Sequence, residues 1–255
     1  MPCGVVLKNR IAKSAMSDSL GDETGHPTAE QNRLYQRWAE GGVAVSIIGE
    51  VQATPIYAER SGNLMFDAAS DLSKFRALAE HGAQNGTQLW LQLGHAGALA
   101  YAPISSPKGP SALDLPGFRC ERMTQDEIHQ MALDFAKTAS LAQQAGFGGV
   151  QIHAAHGFLL SQFLSPLFNT RRDEYGGAIA NRMRLLLETI EAMRAAVGPN
   201  FPIAVKLNSS DQLEGGLGED ASLQSCVVFV LSSSGAIWWD RATGTQAVAR
   251  GVGSH

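Results

Sequence analysis

The stretch VQIHAAHGFLLSQFLSPLFNTRRDEYGG, residues 150–177, decides the fold. It begins with a short apolar run after the glycine pair 148–149. His153 and His156 follow, and a turn is expected at Gly157. An apolar run bounded by glycines predicts a buried strand. Because the carboxyl ends of the strands of an α/β barrel face the ligand, both histidines are candidate binding residues.

Two histidines three residues apart allow two other interpretations. They could be hydrogen-bonded core residues, since histidine is often partly buried. They could also ligate a metal, although no third ligand lies at the spacing typical of zinc. The spacing alone leaves these alternatives open.

Outward from this stretch, apolar runs alternate with amphipathic stretches. The predicted strands are 11–16, 43–48, 87–93, 148–152 and 203–207, and the predicted helices are 28–40, 71–85, 124–146 and 179–198. Five repeats at roughly 40-residue spacing are typical of βα units around a parallel sheet. No GxGxxG motif follows the first strand and no P-loop motif occurs. The sequence therefore predicts an α/β fold of the TIM (β/α)8 barrel type.

Polar residues follow the ends of the predicted strands. Ser17, Glu50, Gln92 and Lys206 lie at or just past these ends, as do the two histidines. Any one of them could be a loop cap, a solvated strand end or an ion-pair partner. In a closed barrel, however, all of them would converge on the face where barrel enzymes build their sites.

Residues 153–177, followed by Asn181 and Arg182, resemble the flavin- and substrate-binding segment of the Old Yellow Enzyme family. The resemblance covers about residues 4–224, because several separate motifs occur in the same order. It implies a barrel that carries FMN and takes hydride from NADH or NADPH. It also implies reduction of activated C=C bonds, so the expected partner is a small α,β-unsaturated carbonyl compound.

The resemblance implies cofactor-binding roles near the first three strands. Ala15, Met16 and Ser17 match a segment that runs along the flavin, with Ser17 at the O4 edge of the ring. Gln92 matches a glutamine that hydrogen-bonds the pyrimidine edge. Glu50 joins the cofactor-binding candidates by its position at a strand end.

The resemblance implies catalytic roles for the later residues. Lys206 matches a basic residue whose cation stabilises the charge that develops near N1 and O2 when the ring takes a hydride. His153 and His156 match a pair that donates hydrogen bonds to the carbonyl oxygen of an enone or to a phenolic inhibitor. Hydride arriving at Cβ pushes negative charge onto that oxygen, and two fixed donors would stabilise it.

Two places depart from the family pattern. Phe158 stands where the family commonly has a proton-donating tyrosine, and a phenylalanine cannot transfer a proton. It is therefore expected to contact substrate, while the proton for Cα would come from water or another group. Residues 98–100 lack the arginine that relatives often place after the HAG motif, and residues 98–123 form a long loop that is expected to cover the substrate.

The composition changes abruptly after residue 221. Residues 222–255 hold three charged side chains and show no clean helical period. We therefore divide the chain into a partial FMN-binding barrel, 1–221, and an atypical tail, 222–255, in which 226–231 is a candidate sixth strand. Strands seven and eight have no candidate. This pattern is typical of a truncated product or an out-of-frame ending, so the barrel is expected to be incomplete, and little or no NAD(P)H oxidation is expected of the chain alone.

Composition excludes some function classes. With 255 residues, 44% of them hydrophobic, a net charge of −4 and a pI near 6.0, the chain has no basic field for nucleic acid or an anionic membrane. Cys3, Cys120 and Cys226 are odd in number and far apart, which favours a reducing compartment. A cytoplasmic protein without a membrane span is expected, and a homo-oligomer stays open.

Two other functions compete with the flavoenzyme. A Schiff-base lyase would use Lys206 as its nucleophile. A non-catalytic barrel remnant would use none of these residues. Bound, reducible FMN would separate the first hypothesis from the last.

Overall fold

A computed structural model describes residues 1, 3–53, 59–115, 118–232 and 237–242. The strands are β1 (Ala12–Met16), β2 (Val45–Gln52), β3 (Leu64–Met65), β4 (Gln88–Gly94), β5 (Lys108–Gly109), β6 (Leu113–Leu115), β7 (Phe118–Arg122), β8 (Gly149–Ala154), β9 (Ile203–Asn208) and β10 (Ile237–Ala242). The helices are α1 (Ala29–Glu40), α2 (Leu72–Gly82), α3 (Gln125–Ala145), α4 (Leu159–Leu164), α5 (Ile179–Arg182), α6 (Arg184–Val197) and α7 (Glu219–Ser232).

The main sheet is parallel and follows the order of the chain. Its strands pair in the order β1-β2-β4-β8-β9-β10, and the two-residue β3 pairs with β2. Helices α1, α2, α3, α6 and α7 lie in the connections between successive strands. This is the arrangement of a (β/α)8 barrel over six of its strands, which confirms the predicted fold class as an incomplete barrel.

The main helices start where the sequence signals them. The Thr28 hydroxyl accepts the backbone N–H of Gln31 at 3.2 Å, and Thr124 and Glu127 form a complete capping box. The Asp71 carboxylate accepts the N–H of Ser73 at 3.0 Å. Because these contacts satisfy backbone donors that have no partner inside the helix, they fix the helix starts within one residue of the prediction.

The two faces of the sheet pack differently. Facing the helices is a large apolar core that includes Phe66 and Phe75, whose rings stack at 3.8 Å. A separate small cluster consists of four fully or almost fully buried residues, Val45, Ile47, Trp90 and Ala204. These four come from β2, β4 and β9. Val45 and Ile47 alternate along β2, so the cluster lies on the face of the sheet opposite the helices.

The structure corrects the predicted sixth strand. Cys226–Leu231 lies within α7, and the sixth strand is β10, whose Ile237 is paired with Ile203 of β9. An apolar run of this length fits a strand or a buried helix equally well. Glu219 and Asp220 in the first turn favour the helix, because carboxylates stabilise the positive end of the helix dipole. In the described residues the sheet thus has six main parallel strands and the two-residue β3, where about five βα units and one possible extra strand were expected.

The long loop also contains structure that the sequence did not predict. Strands β5, β6 and β7 form a small separate sheet in the order β5-β7-β6. Its strands have two to five residues, which is too short for periodicity to reveal them.

Candidate functional site

The two histidines meet at the end of β8. His153 Nε2 lies 2.9 Å from His156 Nδ1, and the ring planes are inclined by 74°. His153 is buried, whereas His156 is partly exposed. One ring nitrogen therefore donates to the other, at the carboxyl end of β8.

Phe158 packs against this pair. Its ring centroid lies 4.5 Å from that of His153, and it forms a small apolar cluster with Ala96 and Ala100. The side chain that replaces the family's tyrosine is thus next to the histidines, in the loop that begins α4. It contributes an apolar wall and no proton.

His95 belongs to the scaffold behind that wall. Its carbonyl accepts the N–H of Leu159 at 3.0 Å, and its Nδ1 accepts the N–H of Gly97. Burial lowers the pKa of His95 to about 3, because the charged form would lose its hydration. A Cβ at Gly97 would lie 2.6 Å from Gln162 Oε1, so only glycine fits between the HAG segment and α4.

Lys206 reaches from β9 to β1. Its Nζ donates to Ser14 Oγ at 3.0 Å, and its backbone is in register with His153 on the neighbouring strand. A buried cation therefore lies on the strand adjacent to the histidines, connected to the residue that precedes the segment 15–17.

The segment 15–17 forms the end of β1, beside β2. Met16 is 58% exposed and Ser17 is also exposed, so both present accessible surface at the end of β1. A Cβ at Gly49 would lie 2.4 Å from the Met16 backbone, which shows that a glycine is needed where the two strands approach each other. Met16 and Ser17 are therefore accessible to a ligand, and their flavin contacts stay a prediction.

A buried polar cluster tethers that segment to α1. Asp18 accepts hydrogen bonds from Tyr35 Oη at 2.8 Å and from Gln31 Nε2 at 2.9 Å. Lys13 Nζ donates to the Ile47 carbonyl at 2.9 Å. Burial lowers the pKa of Lys13 to about 8, Asp18 opposes that shift and Lys206 adds to it. Sequence reasoning missed this cluster because its members lie on three elements.

Gln92 lies deeper in the same face of the sheet. Its Nε2 donates to Gln151 Oε1 at 2.7 Å, and both side chains are buried. Gln151 Nε2 is a buried donor that has no hydrogen-bond partner among the described residues. Gln151 was not a sequence candidate, although its position two residues before His153 places it on the same face of the strand.

The RRDEYGG motif is structural. Arg171 is buried, and its Nη1 donates to the carbonyls of Pro110 and Met123 at 2.9 and 2.8 Å. Its Nε and Nη2 donate to Asp173, and the Arg171 guanidinium lowers the pKa of that carboxyl. The motif therefore fastens the β5–β7 sheet to the segment after α4.

Some expectations concern parts that the structure does not describe. The side chain of Glu50 lies outside the described residues, so its predicted role stays a prediction. In the ranges that are described, no helix is both long enough and apolar enough to cross a bilayer. In those ranges, too, no three His, Cys, Asp or Glu side chains cluster as metal ligands would.

The comparisons with known proteins agree with this geometry. Residues 4–241 match the NADH:flavin oxidoreductase / NADH oxidase family. An NADH-dependent flavin oxidoreductase of Hypocrea jecorina is 34% identical over 237 residues, which cover 83% of this chain and 59% of that protein. An Old Yellow Enzyme structure from a Pichia species is 27% identical with a TM-score of 0.79, covering 91% of this chain and 64% of that one. A 2-naphthoyl-CoA reductase complex shares the fold, with a TM-score of 0.91 at 24% identity, covering 96% and 40%.

The chain belongs to the NADH:flavin oxidoreductase / NADH oxidase family, as the Old Yellow Enzyme resemblance implied. The enzymes of this family use FMN together with NADH or NADPH. The family match continues past residue 221, the boundary that composition suggested. The chain spans between about one third and 63% of the length of the curated relatives it matches.

The described residues fit FMN in one testable respect. The pyrimidine part of a flavin ring carries several hydrogen-bond acceptors. Gln151 Nε2 is a buried donor that lacks a protein partner among the described residues, and burying such a donor without an acceptor is costly. An acceptor-rich ring edge would satisfy it.

Proposed function

We propose that this chain forms the flavin- and substrate-binding part of an NAD(P)H-dependent oxidoreductase that reduces the activated C=C bond of small α,β-unsaturated carbonyl compounds. The observation that carries the proposal is the contact at 2.9 Å between His153 Nε2 and His156 Nδ1, beside the buried Lys206. Family membership supports the flavin and the hydride donor. The histidine pair supports the carbonyl substrate.

The histidines would orient and polarise the substrate. A carbonyl oxygen that replaces the contact between the rings could accept an N–H from each of them. Fixed donors of this kind stabilise negative charge on oxygen more than they stabilise the neutral carbonyl, so they favour the transition state. Phe158 forms an apolar boundary on one side of this position.

The other groups would hold the cofactor. Gln92 and Gln151 would bind the pyrimidine edge, and Ser17 would contact the ring from the end of β1. Lys206 would place a positive charge near the same ring, held by Ser14 at 3.0 Å. FMN, when bound, supplies hydride transfer between the nicotinamide and the substrate.

The proton for Cα must have a source other than residue 158. Phe158 has no acidic proton, so water that enters beside the partly exposed His156 would supply it.

The expected location of the protein is still the cytoplasm.

A flavin-loading experiment tests the proposal. The purified chain is incubated with FMN, freed of excess flavin, and examined by visible spectroscopy before and after NADH or NADPH is added. We expect the flavin that the chain retains to bleach with the reductant and to reoxidise when an enone is added. Retained flavin that reoxidises with oxygen but not with enones would contradict the substrate class. Chain that retains no flavin would favour the non-catalytic remnant.

A further inference from the structure

His156 has a strained backbone. Its φ is 59°, in the left-handed region that non-glycine residues seldom adopt. This conformation turns the chain at the end of β8 and brings the His156 ring back toward His153. A strained residue keeps its conformation only when its surroundings hold it.

Asn208 supplies that restraint. Its Oδ1 accepts the backbone N–H of His156 at 2.9 Å, and the two residues are 52 positions apart in the chain. Asn208 is fully buried at the end of β9, two residues after Lys206. The histidine turn is therefore fastened to the strand that carries the candidate cation.

Asp211 decides which way the Asn208 amide points. Asn208 Nδ2 donates to Asp211 Oδ1 at 3.1 Å and to Ser161 Oγ at 3.3 Å. Asp211 Oδ2 accepts the N–H of Leu217 at 2.8 Å, which anchors the carboxylate. An ionised carboxylate can only accept hydrogen bonds, so the amide nitrogen must face Asp211 and the amide oxygen must face His156.

We propose that Asn208 and Asp211 are positioning residues that set the His156 turn and thereby hold the two imidazoles in contact. The hydrogen bonds all run in one direction: His156 donates to Asn208, and Asn208 donates to Asp211. The consequence for substrate binding rests on the proposed function, whereas the geometry does not depend on it.

This polarity makes an exchange of the two side chains informative. In Asp211→Asn, the new amide must present its oxygen to the Leu217 N–H, so its nitrogen faces the Asn208 nitrogen and two donors oppose each other. In Asn208→Asp, two carboxylates face each other without a donor between them. In the double variant Asn208→Asp/Asp211→Asn, residue 208 accepts from both His156 and residue 211, and residue 211 still accepts from Leu217.

Histidine NMR of the chain without flavin tests the geometry. The four proteins are labelled with 15N-histidine, and the imidazole signals are assigned with His153→Gln and His156→Gln. We expect the native protein and the double variant to show one ring nitrogen donating to the other. Each single variant should show two separate rings that exchange with solvent. Ser161→Ala is the matched control, because it removes a contact of Asn208 but leaves Asp211 to orient the amide, and it should keep the native signals.

A ligand measurement separates this inference from the proposed function. In FMN-loaded protein, each single variant should weaken binding of a phenol by roughly tenfold, as expected when one hydrogen-bond donor is displaced, and the double variant should recover most of the loss. If no form binds FMN or phenol while the NMR pattern holds, the positioning role stands and the proposed function fails.

The double variant decides the matter even when a single variant unfolds. A folded double variant with native imidazole signals supports the inference, since two changes that are separately damaging would compensate each other. A double variant that is no better than the worse single variant overturns it. Single variants with unchanged imidazole signals overturn it as well.

Discussion

Two segments at and after the end of β8 both carry polar side chains, but the contacts of those side chains differ. Residues 153–158 bring His153 and His156 together at the carboxyl end of β8. Residues 169–175 turn their donors inward, since Asn169 Nδ2 donates to two carbonyls at 2.7 Å and Arg171 is buried. Side chains proposed to bind a ligand and side chains that hold the fold thus follow each other along one connection. A motif that identifies a family is not by itself a list of functional residues.

The first prediction tests whether the buried Arg171 stabilises the fold. Arg171→Ala should lower the free energy of unfolding by on the order of 3 kcal/mol, because Asp173 and two carbonyls would lose a buried partner. Chemical denaturation followed by circular dichroism measures it. The neighbouring Arg172 is exposed, so Arg172→Ala is the control and should change stability by less than about 0.5 kcal/mol. Equal effects of the two changes would show that the motif is not structural.

The second prediction concerns a proton donor introduced at Phe158. Phe158→Tyr should raise the rate at which an enone reoxidises the FMN-loaded, reduced protein by ~10²-fold, the usual contribution of a positioned acid. Stopped-flow absorbance measures this rate. Reoxidation by oxygen is the control, because it needs no proton at Cα. An unchanged enone rate would mean that the proton already arrives efficiently from elsewhere.

The third prediction removes the outward donors. His153→Ala/His156→Ala should weaken the binding of a phenol to the FMN-loaded protein by about tenfold or more, because two hydrogen bonds to a developing phenolate are lost. Titration of the flavin spectrum measures the affinity. Retained FMN should be nearly unchanged, since the proposed function assigns the flavin to Ser17, Lys206 and the glutamine pair Gln92 and Gln151. A loss of FMN instead would move the histidines from substrate binding to cofactor binding.

The fourth prediction concerns the effect of the buried His95 on the pH dependence of stability. The pKa of His95 is lowered to about 3, so between pH 6.5 and that value the unfolded chain binds a proton that the folded chain does not. The stability that His95 contributes is therefore present above about pH 6.5 and is lost as the pH falls, by at most ~1.4 kcal/mol per pH unit. His95→Asn should flatten this part of the stability profile. His129→Asn, at an exposed position, is the control and should leave it unchanged.

Local signals explain the parts of the fold that the sequence predicted. Thr28, Asp71 and Thr124 start their helices where a hydroxyl or carboxylate precedes an amphipathic stretch. The predicted strands have the right order and lie within four residues of their observed ends. In each case the deciding contacts lie within a few residues of one another, so the printed sequence contains them.

The sequence by itself determined the alternation of strands and helices, the family and the position of the histidine pair. Only the tertiary structure decided what those side chains contact. Lys206 and Ser14 are 192 residues apart, Gln92 and Gln151 are 59 apart, and Asn208 holds His156 across 52. The apolar run 226–231 is helix rather than strand, and its apolar content alone did not distinguish the two. Hydrophobic content predicts that a segment is buried. The packing of the rest of the chain decides which distant side chains contact that segment.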